Sequence, residues 1–192
     1  MTLRSRQRPV DRIDLSRTGP KVLAYGIGVD STALLIELVA RGEPPDLVLT
    51  ADTGSEKPET YEYQAMMAAW MADRGIAYET VRYVPKRFKH WPPYFSLLEN
   101  VLTNATLPSI SLGRHSCSLK WKVAPQDAFL KQWGPAQAAW AKGGKVTRFI
   151  GYDSSPRTPV ASSMPRGFTI RFSSVATRCA NGAGPEIAAF RA

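Results

Sequence analysis

The chain has 192 residues, of which 44 % are hydrophobic and 21 % are charged, and this length suits one domain of ordinary size. The composition excludes an intrinsically disordered or fibrous protein. No stretch approaches the roughly 20 apolar residues of a membrane span, and the Arg-rich first twenty residues lack the apolar core of a secretory signal. We therefore expect a cytoplasmic protein without a membrane partner.

Cysteine is scarce, since only Cys117 and Cys179 are present. Two cysteines cannot build a disulfide framework, and an iron–sulfur cluster held by four thiolates needs more than this chain alone supplies. A second subunit would have to contribute the remaining ligands. The sequence leaves the oligomeric state open, with a homodimer among the options.

The net charge of +9 is concentrated at the two ends of the chain. Residues 1–21 hold six Lys or Arg against two Asp, and residues 154–192 hold five Arg against one Glu. Residues 22–153 are almost neutral, with 14 basic and 13 acidic side chains. Solvated basic ends explain this distribution, and contact of those ends with nucleic acid is the alternative.

The first part of the chain alternates between strand and helix patterns. Residues 22–25 form a short apolar run that predicts a buried strand ending in a turn at Gly26. A helix should follow, with Asp30 and Ser31 as N-cap residues and Gly42 as its stop signal. Its apolar face comprises Leu34, Leu35, Leu38 and Val39. Residues 46–50 repeat the buried-strand pattern, which completes a βαβ unit.

Further strands and helices extend this pattern. A second helix should begin at Pro58, which suits a first helical turn, and continue to Gly75 through Tyr61, Ala65, Ala68, Ala69 and Ala72. Residues 77–84 and 146–152 predict two more strands. Between them we expect loops and short helices over residues 85–122 and a helix over residues 124–133. The alternation indicates an α/β fold with a doubly wound, mainly parallel sheet, a Rossmann-like three-layer sandwich.

Three segments are expected along the chain. Residues 1–20 form a basic N-terminal extension, and residues 21–153 form the α/β domain. Residues 154–192 are rich in Arg, Ala, Ser and Pro and form a divergent or truncated C-terminal segment, or one read in a shifted frame. The alternation of Phe168, Ile170 and Phe172 is a weak strand signal within it.

The turn after the first strand has the features of an anion site. Gly26 and Gly28 let the backbone turn and approach a phosphate, and the helix that follows presents N–H groups and its dipole. Ser31 and Thr32 can add hydroxyl donors, and Asp30 can contact a divalent cation carried by a nucleotide. The alternative is a tight strand-to-helix turn with Asp30 as a simple N-cap.

A dinucleotide site is a rival for the same turn. Gly26-x-Gly28-x-x-Ser31 approximates the Rossmann fingerprint, and Asp52 follows at about the right distance, but Ser31 stands where the third glycine belongs. A Walker P-loop is excluded, because the chain contains no Gly-x-x-x-x-Gly-Lys-Ser/Thr string.

The turn also resembles the Ser-Gly-Gly-x-Asp-Ser PP-loop of the N-type ATP pyrophosphatases, through Gly26-Ile27-Gly28-Val29-Asp30-Ser31. Three later motifs are similar to those of the phosphoadenosine phosphosulfate (PAPS) reductase family. They are Asp52-Thr53-Gly54 with Pro58-Glu59-Thr60, the segment Cys117-Ser118-Leu119-Lys120-Trp121-Lys122-Val123-Ala124-Pro125, and Gly151-Tyr152-Asp153. The four motifs occur in the family's order.

The resemblance implies an adenine nucleotide alpha hydrolase-like fold that binds ATP or PAPS with Mg²⁺. Members either cleave ATP between the α and β phosphates to adenylate a substrate, often before sulfur transfer, or reduce PAPS with a cysteine. The acceptor is not implied. The nucleotide-binding residues implied here are Tyr25, Gly26, Ile27, Gly28, Asp30, Ser31, Thr32, Asp52, Thr53, Gly54, Gly151 and Asp153. Arg114, Lys120 and Lys122 would hold phosphates, and Asp30, Lys122 and Cys117 are the catalytic candidates.

Several of these side chains have an ordinary alternative role. The lysines and arginine near Cys117 could form a solvated face, as could Lys86, Arg87 and Lys89. Trp91, Tyr94 and Phe95 either stack on a base or pack over the loop. Cys117 is a nucleophile, a persulfide carrier or a small buried side chain. His115 either is a surface imidazole or assists Cys117. His115 and Cys117 alone make no metal site.

The chain departs from the family pattern in the first loop, after Asp153, where Ser154-Ser155-Pro156-Arg157 replaces the usual acidic and arginine residues, and in its late cysteine. Ile27 and Gly26 replace the usual glycine and serine, so the loop dihedral angles could differ. The terminal Glu-Cys-Gly-x-x-His-type motif of PAPS reductases is missing, and the only late cysteine is Cys179, which argues against ordinary PAPS reduction. Three functions remain open: an enzyme that cleaves ATP at the α–β bond, a PAPS or adenylyl-sulfate reductase, and a non-catalytic nucleotide- or RNA-binding module.

Overall fold

The computed structural model describes residues 19–85, 87, 91, 93–105, 116–152 and 168–174. Its elements, in chain order, are β1 (Lys21–Ala24), α1 (Val29–Ala40), β2 (Leu47–Asp52), α2 (Pro58–Ala72), β3 (Tyr78–Arg82), α3 (Leu97–Asn104), α4 (Ser116–Ser118), a π-helical segment (Leu119–Val123), α5 (Ala124–Leu130), α6 (Gly134–Ala141), β4 (Val146–Tyr152) and β5 (Phe168–Ser174).

The strands form one parallel sheet in the order β3-β2-β1-β4-β5 within the described residues. Strand β1 lies between β2, where Val22 is opposite Leu47, and β4, where Lys21 is opposite Thr147. Strand β5 falls within the segment 154–192 and pairs with β4 along its length. The predicted α/β class and the parallel sheet are confirmed.

Helices cover both faces of the sheet, because alternate residues of each strand point to opposite sides. On one face, α1 and α2 pack on β1, β2 and β4 in a cluster formed by Leu23, Tyr25, Leu34, Leu35, Leu38, Val48, Met67, Trp70, Met71, Ile76 and Phe149. On the other face, α5 and α6 pack in a second cluster formed by Val22, Leu47, Leu49, Leu130, Ala136 and Val146. The result is a three-layer arrangement with the sheet in the middle.

The N-cap of α1 and the C-terminal end of α2 differ from the sequence expectation. Helix α1 begins at Val29 with Gly28 as its N-cap and has no side-chain cap, so the prediction that Asp30 and Ser31 cap it is wrong. The reason is that Ser31 donates to the Gly28 carbonyl from inside the first turn. Pro58 does start α2, as predicted, but the helix ends at Ala72 rather than continuing to Gly75, and it buries Met67, Trp70 and Met71.

The helical region before β4 is longer and more broken than expected. A π-turn from Ala124 N–H to the Leu119 carbonyl precedes α5, which ends at Leu130 rather than Trp133. Pro125 lacks an N–H and crowds the carbonyl four residues earlier, and a widened turn relieves that clash. Helix α6 was not expected, and it starts at Gly134-Pro135, where proline fits a first turn.

Candidate functional site

The strand order reverses at β1, and parallel α/β sheets characteristically bind ligands at such a point. The chain runs from β1 outward through β2 to β3 and then crosses back to β4 on the other side of β1. In open α/β sheets such a reversal opens a ligand crevice at the carboxyl ends of the two central strands. The loop of residues 25–28 follows β1, and Gly151 lies near the end of β4, so both occupy this edge.

Gly151 brings β4 into direct contact with the first turn of α1. A Cβ atom on Gly151 would lie 2.7 Å from the carbonyl oxygen of Asp30 and 2.8 Å from the amide nitrogen of Ser31, too close for any side chain. The glycine is therefore required by packing alone. Because Gly151 has no side chain, the first turn of α1 packs directly against the end of β4. Glycines allow the same close helix–strand packing in nucleotide-binding turns.

The backbone of the loop is held in an unusual conformation at Ile27. This residue has φ +60°, in the left-handed region that favours glycine, although its side chain packs against the α1–α2 core. Gly26 and Gly28 are exposed on either side of it. The first amides of α1 have no partners within the helix and no side-chain cap, so they are available to an anion.

The two hydroxyl groups of the first turn serve the loop itself. Ser31 and Thr32 each donate to the Gly28 carbonyl at 3.0 Å. The Thr32 oxygen also lies 3.0 Å from the hydroxyl of Tyr25 and accepts from Tyr63 at 3.3 Å. Burial raises the pKa of Tyr25, despite this hydrogen bond, so its phenol stays neutral. Tyr25 is a core residue, and the donors left for a ligand are backbone amides rather than the predicted hydroxyls.

Asp30 and Val29 are the first-turn residues of α1 whose side chains are not fully buried. The Asp30 carboxylate is half-buried and has no hydrogen bond or ion pair with any described residue. Val29 is 71 % exposed, an apolar side chain beside the free amides that sequence reasoning did not single out. A single carboxylate next to a phosphate site is a common arrangement for Mg²⁺, which keeps waters and phosphate oxygens as its other ligands. The first turn therefore fits a magnesium nucleotide.

The carboxylate of Asp52, at the carboxyl end of β2, already accepts hydrogen bonds from three neighbouring residues. Its carboxylate accepts hydrogen bonds from the Gly54 amide at 2.7 Å, the Tyr61 hydroxyl at 2.9 Å and the Arg82 guanidinium. Partial burial opposes ionisation, but these hydrogen bonds outweigh it and hold the pKa of Asp52 below its usual value. The dinucleotide interpretation needs this acid to bind a ribose hydroxyl, and the arrangement does not leave it available.

The loop after β2 is hydrogen-bonded to the start of α3. The carbonyl of buried Thr53 accepts from the Leu97 amide at 2.9 Å, and the Ser55 hydroxyl accepts from the Leu98 amide at 2.8 Å. Ser96 completes a capping box at the start of α3. Gly54 has φ +67°, and a Cβ there would meet Ser96 at 3.0 Å. These contacts fix α3 at the carboxyl edge of the sheet and use its first amides.

Lys120, on the π-helical segment, lies among aromatic rings. Its ammonium is 5.2 Å from the ring centre of Tyr83, 5.0 Å from that of Tyr94 and 5.6 Å from that of Trp121. It donates to the Tyr94 hydroxyl at 3.2 Å and approaches the Asn100 side-chain oxygen at 3.5 Å. Sequence reasoning missed Tyr83 and Asn100, which carry no motif and reach Lys120 only through the fold.

The remaining candidates are distributed around this region or fall outside the described residues. Lys122 is exposed, and Cys117 is a half-buried free thiol in α4. Arg87, Trp91 and Phe95 are exposed, whereas Tyr94 is buried beside Trp121. Outside the described residues lie Lys86, Lys89, Arg114, His115, Asp153 and Cys179.

Within the described residues, no group of three or more His, Cys, Asp and Glu side chains could hold a metal ion. No helix in that part of the chain is both long and apolar enough to cross a bilayer. No protein-family model matches the chain, and no curated protein is significantly similar to it.

Proposed function

We propose that the chain binds an adenine nucleotide at the β1–β4 crevice and cleaves ATP at the α–β phosphate bond to activate a substrate, in the manner of the PP-loop proteins that it resembles. The fold proposed is accordingly of the adenine nucleotide alpha hydrolase type. One observation carries the proposal: the loop of residues 25–28 leads into an uncapped helix N-terminus that Gly151 holds against the end of β4. Sulfur transfer or nucleotide modification is the proposed context.

The first turn of α1 supplies the phosphate contacts. Its free amides and the helix dipole would bind phosphate oxygens, and Asp30 would hold Mg²⁺. The ion, when bound, neutralises charge on the phosphates. Gly26 and Gly28 allow the phosphates to approach the backbone closely because neither has a Cβ.

Cleavage at the α-phosphorus produces a pyrophosphate leaving group that must be stabilised. Lys120 and Lys122 are the described cations on the segment that the family resemblance assigns to the nucleotide, and they would neutralise the departing charge. The acceptor attacks from the opposite side of the α-phosphorus, so it occupies the part of the crevice that the pyrophosphate does not. Cys117 becomes relevant if that acceptor carries sulfur.

The test is nucleotide binding followed by product analysis. Isothermal titration of the full chain with ATP and Mg²⁺, using NAD and PAPS as competitors, should show ATP binding that NAD does not displace. Asp30→Ala should then lower the release of AMP and pyrophosphate about 100-fold or more, because it removes the proposed Mg²⁺ ligand. Asp73→Ala is the matched control, since Asp73 is exposed at the far end of α2.

Three outcomes decide against this proposal. Unchanged AMP release by Asp30→Ala would place the chemistry elsewhere. Absence of ATP binding to the parent protein would remove nucleotide chemistry altogether. Displacement of ATP by PAPS, with sulfite release that depends on Cys117, would instead identify a reductase.

A further inference from the structure

The charge of Lys120 is held by neutral groups. Three aromatic rings, the Tyr94 hydroxyl and the Asn100 side-chain oxygen surround its ammonium, and no described carboxylate forms an ion pair with it. An ammonium has three donors, and these oxygens account for two of them. Among the described residues, the third donor and the positive charge have no partner, so they are available to an anion.

The position of this cluster is fixed by two neighbouring elements at the carboxyl edge of the sheet. Tyr83 directly follows the last residue of β3, and its ring meets the Trp121 ring edge-on with centroids 5.0 Å apart. Asn100 lies on α3, which is tied by hydrogen bonds to the loop after β2. Because neighbouring strands are about 4.8 Å apart, the edge at β2 and β3 is within the length of a nucleotide from the loop after β1.

Aromatic faces orient a cation without neutralising it. Attraction between an ammonium and a ring face restricts where the lysine side chain lies, whereas a carboxylate partner would compete with a ligand for the same charge. Trp121 is only 1 % exposed, so the wall formed by its ring is part of the packed structure. The flexible stem of Lys120 is thereby ordered before any anion arrives, which lowers the entropy lost on binding.

We propose that Tyr83, Tyr94 and Trp121 are positioning residues that hold the Lys120 ammonium for the phosphates of the bound nucleotide. This proposal rests on the proposed function for the identity of the ligand. It assigns a role to aromatic residues that touch no ligand themselves and act through Lys120.

The test is a double-mutant cycle measured by titration with ATP and, separately, with inorganic tripolyphosphate. Lys120→Met should weaken binding of both ligands and reduce the salt dependence of binding, because one cation is lost. Tyr83→Leu should weaken binding about two- to fivefold by removing one ring face, with the salt dependence unchanged. In the Lys120→Met background, Tyr83→Leu should have no further effect. Tyr94→Phe keeps the ring, removes one hydrogen-bond acceptor and should have a smaller effect.

Controls separate positioning from folding. Lys131→Met removes an exposed lysine at the end of α5, and Tyr78→Phe removes a tyrosine hydroxyl from β3 that contacts Gln64 instead of Lys120. Circular dichroism and urea unfolding should show that every variant keeps the native fold.

The two ligands make the outcomes distinguishable. If ATP binds but neither Lys120→Met nor Tyr83→Leu changes its affinity, the positioning role is wrong while the nucleotide site stands. If Tyr83→Leu weakens binding equally in both backgrounds, the ring acts on the fold and not through Lys120, which also overturns the role. If tripolyphosphate binds but ATP does not, and Tyr83→Leu has no further effect in the Lys120→Met background, the proposed nucleotide recognition is wrong. The proposed role of Lys120 in anion binding then stands. Binding of neither ligand refutes both proposals.

Discussion

Gly151→Ala tests whether the contact between β4 and α1 shapes the candidate site. The added Cβ would meet the Asp30 carbonyl at 2.7 Å, whereas ordinary contacts begin at 3.4 Å, so the first turn of α1 must move by about 0.7 Å. The atoms met are backbone atoms, which cannot rotate away. We expect the free energy of unfolding to fall by about 1–3 kcal/mol, the usual cost of overpacking. If ATP binds at this turn as proposed, a displacement of this size should weaken ATP affinity by about 10–100-fold.

The assay combines urea unfolding, followed by circular dichroism, with ATP titration in Mg²⁺. A lower midpoint at constant slope reports lost stability without a change in the unfolded chain. Gly134→Ala is the matched control: nothing lies within 4 Å of its added Cβ, and Gly134 is the first residue of α6. Because Pro135 follows directly, alanine gains little helix preference here, so the urea midpoint should change little and the ATP affinity should stay unchanged.

Two results would contradict the reasoning. If Gly151→Ala keeps both the midpoint and the ATP affinity of the parent protein, the close approach of β4 to α1 is not present in solution. If stability falls while ATP affinity is unchanged, the packing is as described but the nucleotide does not use the first turn of α1.

Two further predictions concern the hydrogen bonds of Asp52, at the end of β2, and of Tyr25, after β1. Asp52→Asn should lower the free energy of unfolding by about 1 kcal/mol at neutral pH, because it weakens the hydrogen bonds from Gly54, Tyr61 and Arg82. The folded-state pKa of Asp52 is lowered, so its stabilising effect is present above the ordinary value of 3.8 and is lost as the pH falls through the lowered pKa. The difference in urea midpoint between the parent protein and Asp52→Asn should therefore be constant from pH 7 to about pH 5 and narrow below 3.8; a constant difference down to pH 2 would contradict this. Tyr25→Phe should cost about 1 kcal/mol in urea unfolding by removing the buried hydrogen bond at Thr32, and an unchanged midpoint would show that the bond contributes nothing.

Much of the fold follows from patterns that are local in the sequence. The apolar runs mark the buried strands, and the predicted range of β4, residues 146–152, matches the structure. Proline at position 58 starts α2 because its fixed φ suits a first helical turn. Helix α6 was missed, since its Ala-rich stretch has no strong apolar periodicity.

The candidate site depends on contacts between distant residues, and the sequence could not supply them. Asp52 has the spacing of a ligand residue, yet the β2–β3 register places Arg82 opposite it and occupies its carboxylate. Arg148 sits in the middle of a buried strand and pairs with Asp127 on α5, which no strand pattern predicts. The aromatic surroundings of Lys120 come from three separate segments and emerge only when the chain folds.

The left-handed backbone at Ile27 bears on how such loops are found. A branched residue adopts φ +60° here while its partly buried side chain packs against the core formed with α1 and α2. Packing of the Ile27 side chain thus stabilises a left-handed backbone conformation that glycine usually adopts. The cost of the strained backbone is offset by these contacts. A loop with this backbone shape need not contain glycine at its left-handed position. Scans that require glycine at that position will overlook chains whose core, not their loop composition, fixes the turn.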